Sequence, residues 1–107
     1  MVSRSVMEAL GAEGILVNIA RGTVIDESAM VELLQSGKLG AAGLDVFENE
    51  PHVPQELLSM DNVVLQPHRG SATVKTRIAM GQLVMDNLKA FFAGKTVPNP
   101  VNQIIQN

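Results

Sequence analysis

The stretch GILVNI, residues 14–19, is a short apolar run rich in β-branched side chains, the pattern of a strand covered on both faces. Arg21-Gly22 breaks it. Downstream, Asp26 is placed to cap a helix that carries Ala29, Met30, Leu33 and Leu34 on one stripe, and Gly37 is placed to end that helix. The stripe should pack on the strand. A second strand is expected over 39–46, LGAAGLDV, with Gly40 and Gly43 permitting close backbone approach. Polar and proline-bearing residues 48–54 and a short helix over 55–59 lead to a third strand, NVVLQ at 62–66, which Pro67 cuts off. From Ser71 or Thr73 to Ala93 runs a long helix with Val74, Ile78, Val84, Leu88 and Phe91 or Phe92 inward, stopped by Gly94. Pro98 and Pro100 keep the tail extended. Upstream of the first strand, residues 3–10 form a short helix that ends at Gly11.

Strand and helix alternate three times, the signature of an α/β layer with parallel strands. Three short strands make a small sheet, and both of its edges need cover or pairing. The fold therefore reads as incomplete.

Composition narrows the function classes. The chain has 107 residues, 46% of them hydrophobic, with a formal charge of −3 and no dense basic block. Nothing supplies the Lys/Arg footprint that a nucleic-acid backbone requires. Cysteine is absent, which removes disulfides, thiolate nucleophiles and Cys-ligated zinc. No apolar stretch is long enough to span a membrane, and the start, MVSRSVMEAL, lacks the basic and apolar regions of a signal peptide. A cytoplasmic location with no nucleic-acid or membrane partner is expected.

Several motif-like strings carry no chemistry. Gly37-Lys38-Leu39-Gly40-Ala41-Ala42-Gly43 lacks the G-x-G-x-x-G spacing and precedes a strand, whereas a phosphate cradle needs strand and then helix N-terminus. Gly94-Lys95-Thr96 imitates the end of a Walker A loop, but Lys89 stands where its first glycine belongs. His52 and His68 do not have the spacing of a metal pair, so no metal site is expected.

What remains is a set of polar residues at strand ends, the edge where open α/β sheets place their ligands. Arg21 follows the first strand, Asp45 ends the second, Glu50 lies in the loop after it and His68 follows the third. An arginine fork holds a carboxylate through two parallel hydrogen bonds, a carboxylate beside an imidazole favours the imidazolium, and an imidazolium can protonate a developing alkoxide. Converged, these groups suit reduction of a 2-oxo acid. Scattered, they are a surface arginine, a loop carboxylate and a turn histidine. Spacing leaves both open.

At these residues the chain closely resembles the D-isomer-specific 2-hydroxyacid dehydrogenases, in particular their hydroxypyruvate and glyoxylate reductase branch. The strings GILVNIARGTVIDESAMVELLQSGKLGAAGLDVFENEP and NVVLQPHRGSATVKTRIAMGQLVMDNL carry the resemblance, which covers residues 6–101. It implies a partial Rossmann-like, doubly wound parallel sheet with a long C-terminal helix. Residues 1–70 would be the C-terminal half of a dinucleotide-binding domain, and 71–107 the long helix and tail that in relatives return to the substrate domain. By the same resemblance Arg21, in N-x-x-R-G, would grip the substrate carboxylate and polarise the 2-oxo group. His68 would donate the proton as hydride arrives from the nicotinamide, and Glu50 would orient the ring. Asp45 matches the aspartate that hydrogen-bonds the nicotinamide carboxamide, while Ile19, Ala20, Gly70 and Ser71 match positions lining its pocket. The implied cofactor is NAD or NADP and the implied ligand a small 2-oxo or 2-hydroxy acid. Similar formate dehydrogenases pair their histidine with glutamine, so Glu50 argues against formate. Arg69 departs from the family pattern, in which a small aliphatic residue is usual, and is expected to face solvent. His52 reads as structural and Arg77 as a surface or packing charge.

Whole enzymes of that family are longer and carry a G-x-G-x-x-G cofactor loop upstream of the arginine block. No such loop occurs in these 107 residues. The expected function is that of a C-terminal fragment of an NAD(P)-dependent 2-hydroxyacid dehydrogenase that does not turn over by itself. The bare sheet edge and the apolar stripe of the long helix should drive formation of a homodimer or a helix-swapped oligomer. The competing reading is a non-catalytic truncated module acting in dimerisation or protein interaction.

Overall fold

The protein is described by a computed structural model covering residues 1–101. The chain divides into two compact units, Met1–Gly70 and Ser71–Asn107. In the first, β1 (Ile15–Asn18), β2 (Ala41–Leu44) and β3 (Val63–Leu65) form a parallel sheet in the order β1-β2-β3. Val17 is opposite Gly43, and Leu44 is opposite Leu65. The α/β class expected from the sequence is what the chain adopts, with strands one or two residues shorter at each end than the apolar runs suggest.

Two helices accompany this sheet, α1 (Arg4–Leu10) and α2 (Glu27–Gln35). Helix α2 starts where predicted, because the Asp26 side chain accepts from the Ala29 N–H at 3.0 Å and satisfies one of the otherwise free first-turn donors. Its stripe of Ala29, Met30, Leu33 and Leu34 is buried with Met7 of α1, Leu39, Leu44 and Leu57. Each large side chain buried this way is worth roughly 1.5–3 kcal/mol. Gly40 is required by close approach, since a Cβ there would lie 2.4 Å from the Ala12 carbonyl oxygen. Gly43 is not, having only ordinary contact with Val17.

One expectation fails on β1, which is not covered on both faces. Leu16 and Asn18 turn toward the helices, whereas Ile15, Val17 and Ile19 are 65–74% exposed. In a strand alternate side chains face opposite ways, and α1 and α2 supply only one layer. Val64 of β3 is likewise exposed.

The second unit is built on α3 (Val74–Phe92), capped by the Thr73 hydroxyl, which accepts from the Thr76 N–H at 3.2 Å. Asn87 ties the following segment to the helix by accepting from the Asn99 N–H at 3.1 Å. The inward stripe expected for this helix is a second correction. Val74, Ile78, Val84, Leu88, Phe91 and Phe92 are all exposed, and no α3 residue is buried. Among the described residues its own unit offers the helix no second layer to pack on. The remainder of the tail, 102–107, lies outside the described residues. Among the described residues no helix is long and apolar enough to cross a membrane.

Candidate active site

The site grows from the C-terminal ends of the three strands. At the end of β1 the buried Asn18 side chain donates to the Arg21 carbonyl at 2.9 Å and accepts from the Ala20 N–H at 3.1 Å. This side chain holds the turn from which Arg21 emerges. The next residue, Gly22, sits against the chain leaving β2, where a Cβ would fall 2.0 Å from the Phe47 carbonyl carbon. Only glycine lets the arginine segment lie this close. The exposed Arg21 guanidinium donates from Nη1 to the Ala20 carbonyl at 2.6 Å.

Beyond β2 the main chain organises the acid. The Phe47 N–H donates to Glu50 Oε1 at 3.0 Å, and Glu50 Oε2 meets His68 Nδ1 at 2.8 Å. The hydrogen bond from His68, then that from Phe47, holds the Glu50 carboxyl below its ordinary value, and the charge of Arg21 acts in the same direction. An ionised carboxylate only accepts hydrogen bonds, so His68 Nδ1 carries the proton and Nε2 is left for another partner. Both side chains are partly exposed, at 43% for His68 and 35% for Glu50. The pair is open to a ligand.

Beside the pair lies a cavity of about 340 Å³ walled chiefly by Phe47, Val53, Leu58 and Leu65, with Glu50 and His68 in its lining. After β3, His68 adopts φ 51°, the left-handed region that non-glycine residues rarely enter. The two residues that follow it donate their backbone N–H groups to Asp45, Arg69 to Oδ1 at 2.6 Å and Gly70 to Oδ2 at 2.7 Å. The Arg69 bond first, and then the Gly70 bond, lower the pKa of this buried carboxyl.

Of the residues singled out from sequence, Glu50 and His68 are in direct contact, and Arg21 lies within electrostatic reach of Glu50. Ile19 and Ala20 are exposed at the end of β1, Asp45 and Gly70 meet at the third strand end, and Ser71 opens the second unit. Arg69 is exposed, as is His52. Among the described residues no group of three His, Asp or Glu side chains could hold a metal. Sequence reasoning missed Asn18, Gly22 and Phe47. An asparagine ending a strand just before a turn is a readable signal for the first, and the glycine after Arg21 is one for the second. Phe47 acts through its main chain and leaves no signal.

Residues 1–70 match the family model described as D-isomer specific 2-hydroxyacid dehydrogenase, NAD binding domain. The chain belongs to this 2-hydroxyacid dehydrogenase family. It is 56% identical over 101 residues to a glyoxylate/hydroxypyruvate reductase of Arabidopsis thaliana, covering 94% of this chain and 32% of that protein. It is 54% identical over the same length to a 2-ketogluconate reductase of Gluconobacter oxydans, covering 33% of it. Among solved structures, the NADPH-dependent glyoxylate/hydroxypyruvate reductase of Sinorhizobium meliloti, in complex with NADP and malonate, superposes with a TM-score of 0.84 at 54% identity. That match covers 94% of this chain and 31% of the other. The chain thus spans about a third of the length of the dehydrogenases it matches.

The family implies a nicotinamide dinucleotide, and the residues present fit only one end of it. The exposed apolar Ile19 at the end of β1 suits the face of a nicotinamide ring. A pyrophosphate finds no cradle in the first unit. At the N-terminus of α2 the Asp26 carboxylate already occupies the Ala29 N–H, and Glu27 adds a second negative charge that accepts from the Glu48 N–H at 2.9 Å.

Proposed function

We propose that this chain supplies the catalytic groups of an NAD(P)-dependent 2-hydroxyacid dehydrogenase that reduces a 2-oxo acid of the glyoxylate or hydroxypyruvate type in the cytoplasm. The observation that carries this reading is the 2.8 Å Glu50–His68 pair with the Arg21 charge beside it. A reduced nicotinamide held at the strand ends beside Ile19 would supply the hydride that the carbonyl carbon accepts. Arg21 exchanges the Ala20 carbonyl for the substrate carboxylate, which its fork engages through two charge-assisted hydrogen bonds. Protonated His68 gives its Nε2 proton to the carbonyl oxygen and becomes neutral, keeping Nδ1–H on Glu50. Glu50 fixes the ring orientation and balances the imidazolium charge. In the reverse direction Nε2 takes the hydroxyl proton.

Ile19, Ala20 and Gly70 are proposed to line the nicotinamide pocket, with Ser71 added by sequence resemblance. Asp45 faces the same strand ends. The exposed β1 face and the bare α3 stripe support association with a second copy, as a homodimer or by helix exchange. They are also what a non-catalytic interaction module would present.

Fusing the upstream two thirds of the Sinorhizobium reductase to residues 1–107 gives a chimaera that tests the reading. Loss of NADPH absorbance with hydroxypyruvate or glyoxylate should reveal turnover in the usual enzyme range of about 1–1000 per second, while the 107-residue chain shows none. A folded chimaera that binds NADPH and reduces neither acid would refute the assignment.

A further inference from the structure

We propose that Asp45 is the positioning residue of the proton donor: its carboxylate clamps the two amides after His68 and so holds the imidazole against Glu50. This inference rests on the catalytic reading of the Glu50–His68 pair. It gives Asp45 a task beyond the carboxamide contact implied by resemblance, since each carboxylate oxygen that accepts one amide keeps a second lone pair.

Asp45 and Asn18 are the buried polar residues among those described, so each needs a structural or chemical reason. Asn18 spends its side chain on the Arg21 turn. Asp45 spends both carboxylate oxygens on one loop, Oδ1 on Arg69 N–H and Oδ2 on Gly70 N–H, at 2.6 and 2.7 Å. Its own N–H donates to the Asn18 carbonyl at 3.0 Å, anchoring it to β1. The clamp therefore references the His68 loop to the same strand end that presents Arg21.

The loop needs such a clamp. His68 holds φ 51°, a conformation an L-residue keeps only where its surroundings impose it. The restraint comes from the residues on either side, with Pro67 before it and the two clamped amides after it. Bonding of these amides to an ionised acceptor also depresses the Asp45 carboxyl, consistent with an ionised clamp. Without the acceptor, two donors would face a buried position unpaired, and the loop would relax toward extended backbone. The imidazole would then swing off Glu50, although neither catalytic side chain had been altered.

The test is the long-range proton–nitrogen spectrum of the His68 imidazole in the 107-residue chain, with amide exchange at Arg69 and Gly70. With the ring in its neutral form, the parent should show one dominant tautomer, protonated at Nδ1. Asp45→Ala should mix the tautomers and speed exchange at both amides more than tenfold, with the α2 amides unmoved. Asp45→Asn, which matches the shape and keeps one acceptor oxygen, should restore one amide and part of the signature. It also serves as the readout should the alanine variant not fold. An unchanged tautomer in a folded variant would overturn the proposal. So would an Asp45→Asn chimaera whose kcat is kept while its KM for NADPH rises, since Asp45 would then serve the cofactor alone. These spectra do not depend on turnover, so an inactive parent chimaera with an intact clamp signature would refute the catalytic reading alone.

Discussion

Replacing His68 by alanine in the chimaera lowers the rate of hydroxypyruvate reduction by about 10²–10⁴-fold, the range for loss of a positioned general acid, and leaves NADPH affinity unchanged. The separation follows from geometry. His68 Nδ1 is engaged by Glu50 at 2.8 Å, so what the substitution removes is the free Nε2 position proposed to face substrate, not a support of the sheet. The imidazole is 43% exposed, and removing it opens no core cavity. Steady-state kinetics with a fluorescence titration of NADPH separate the two quantities. Activity near the parental level would give the proton to another residue.

The second large effect is on the fold and the site together. Gly22→Ala places a methyl group 2.0 Å from the Phe47 carbonyl carbon and 2.2 Å from the Glu48 nitrogen, both backbone atoms without a rotamer to yield. Overpacking of this kind costs about 1–3 kcal/mol, occasionally more. The chain must separate the segments after β1 and β2. Phe47 moves with them, and its N–H is one of the two groups that hold Glu50. The expected result is a lower urea midpoint for the 107-residue chain and a chimaera whose kcat falls at least tenfold, the equivalent of about 1.4 kcal/mol in the transition state. Tryptophan and tyrosine are absent, so far-UV circular dichroism is the probe. An unchanged midpoint would mean that the Arg21 and Phe47 segments do not meet.

The elements were legible because their signals are local. A β-branched run bounded by glycine gives β1, and Asp26 before an apolar stripe gives α2. Coverage was not legible. A continuous apolar run such as Ile15-Leu16-Val17 has no alternation to show which face the chain itself covers, and the α3 stripe records an affinity for apolar surface without supplying one. In the site, the residue types of Arg21, Glu50 and His68 could be read as a set because strand ends converge in parallel sheets. The contact between Glu50 and His68, 18 positions apart, depends on the β2–β3 register, which no local pattern encodes. The supports were the least visible. Phe47 acts through a main-chain N–H, and Asp45 through amides 24 and 25 residues away.

Whether Arg21, Glu50 and His68 act on one ligand is decided by a crystal structure of the chimaera with NADP and oxamate, whose carboxylate and adjacent carbonyl mimic a 2-oxo acid. The oxamate carboxylate should be forked by Arg21 at about 2.7–2.9 Å, with the neighbouring oxygen on His68 Nε2 and His68 Nδ1 still on Glu50. A carboxylate held by other residues, with His68 turned away from that oxygen, would contradict this arrangement.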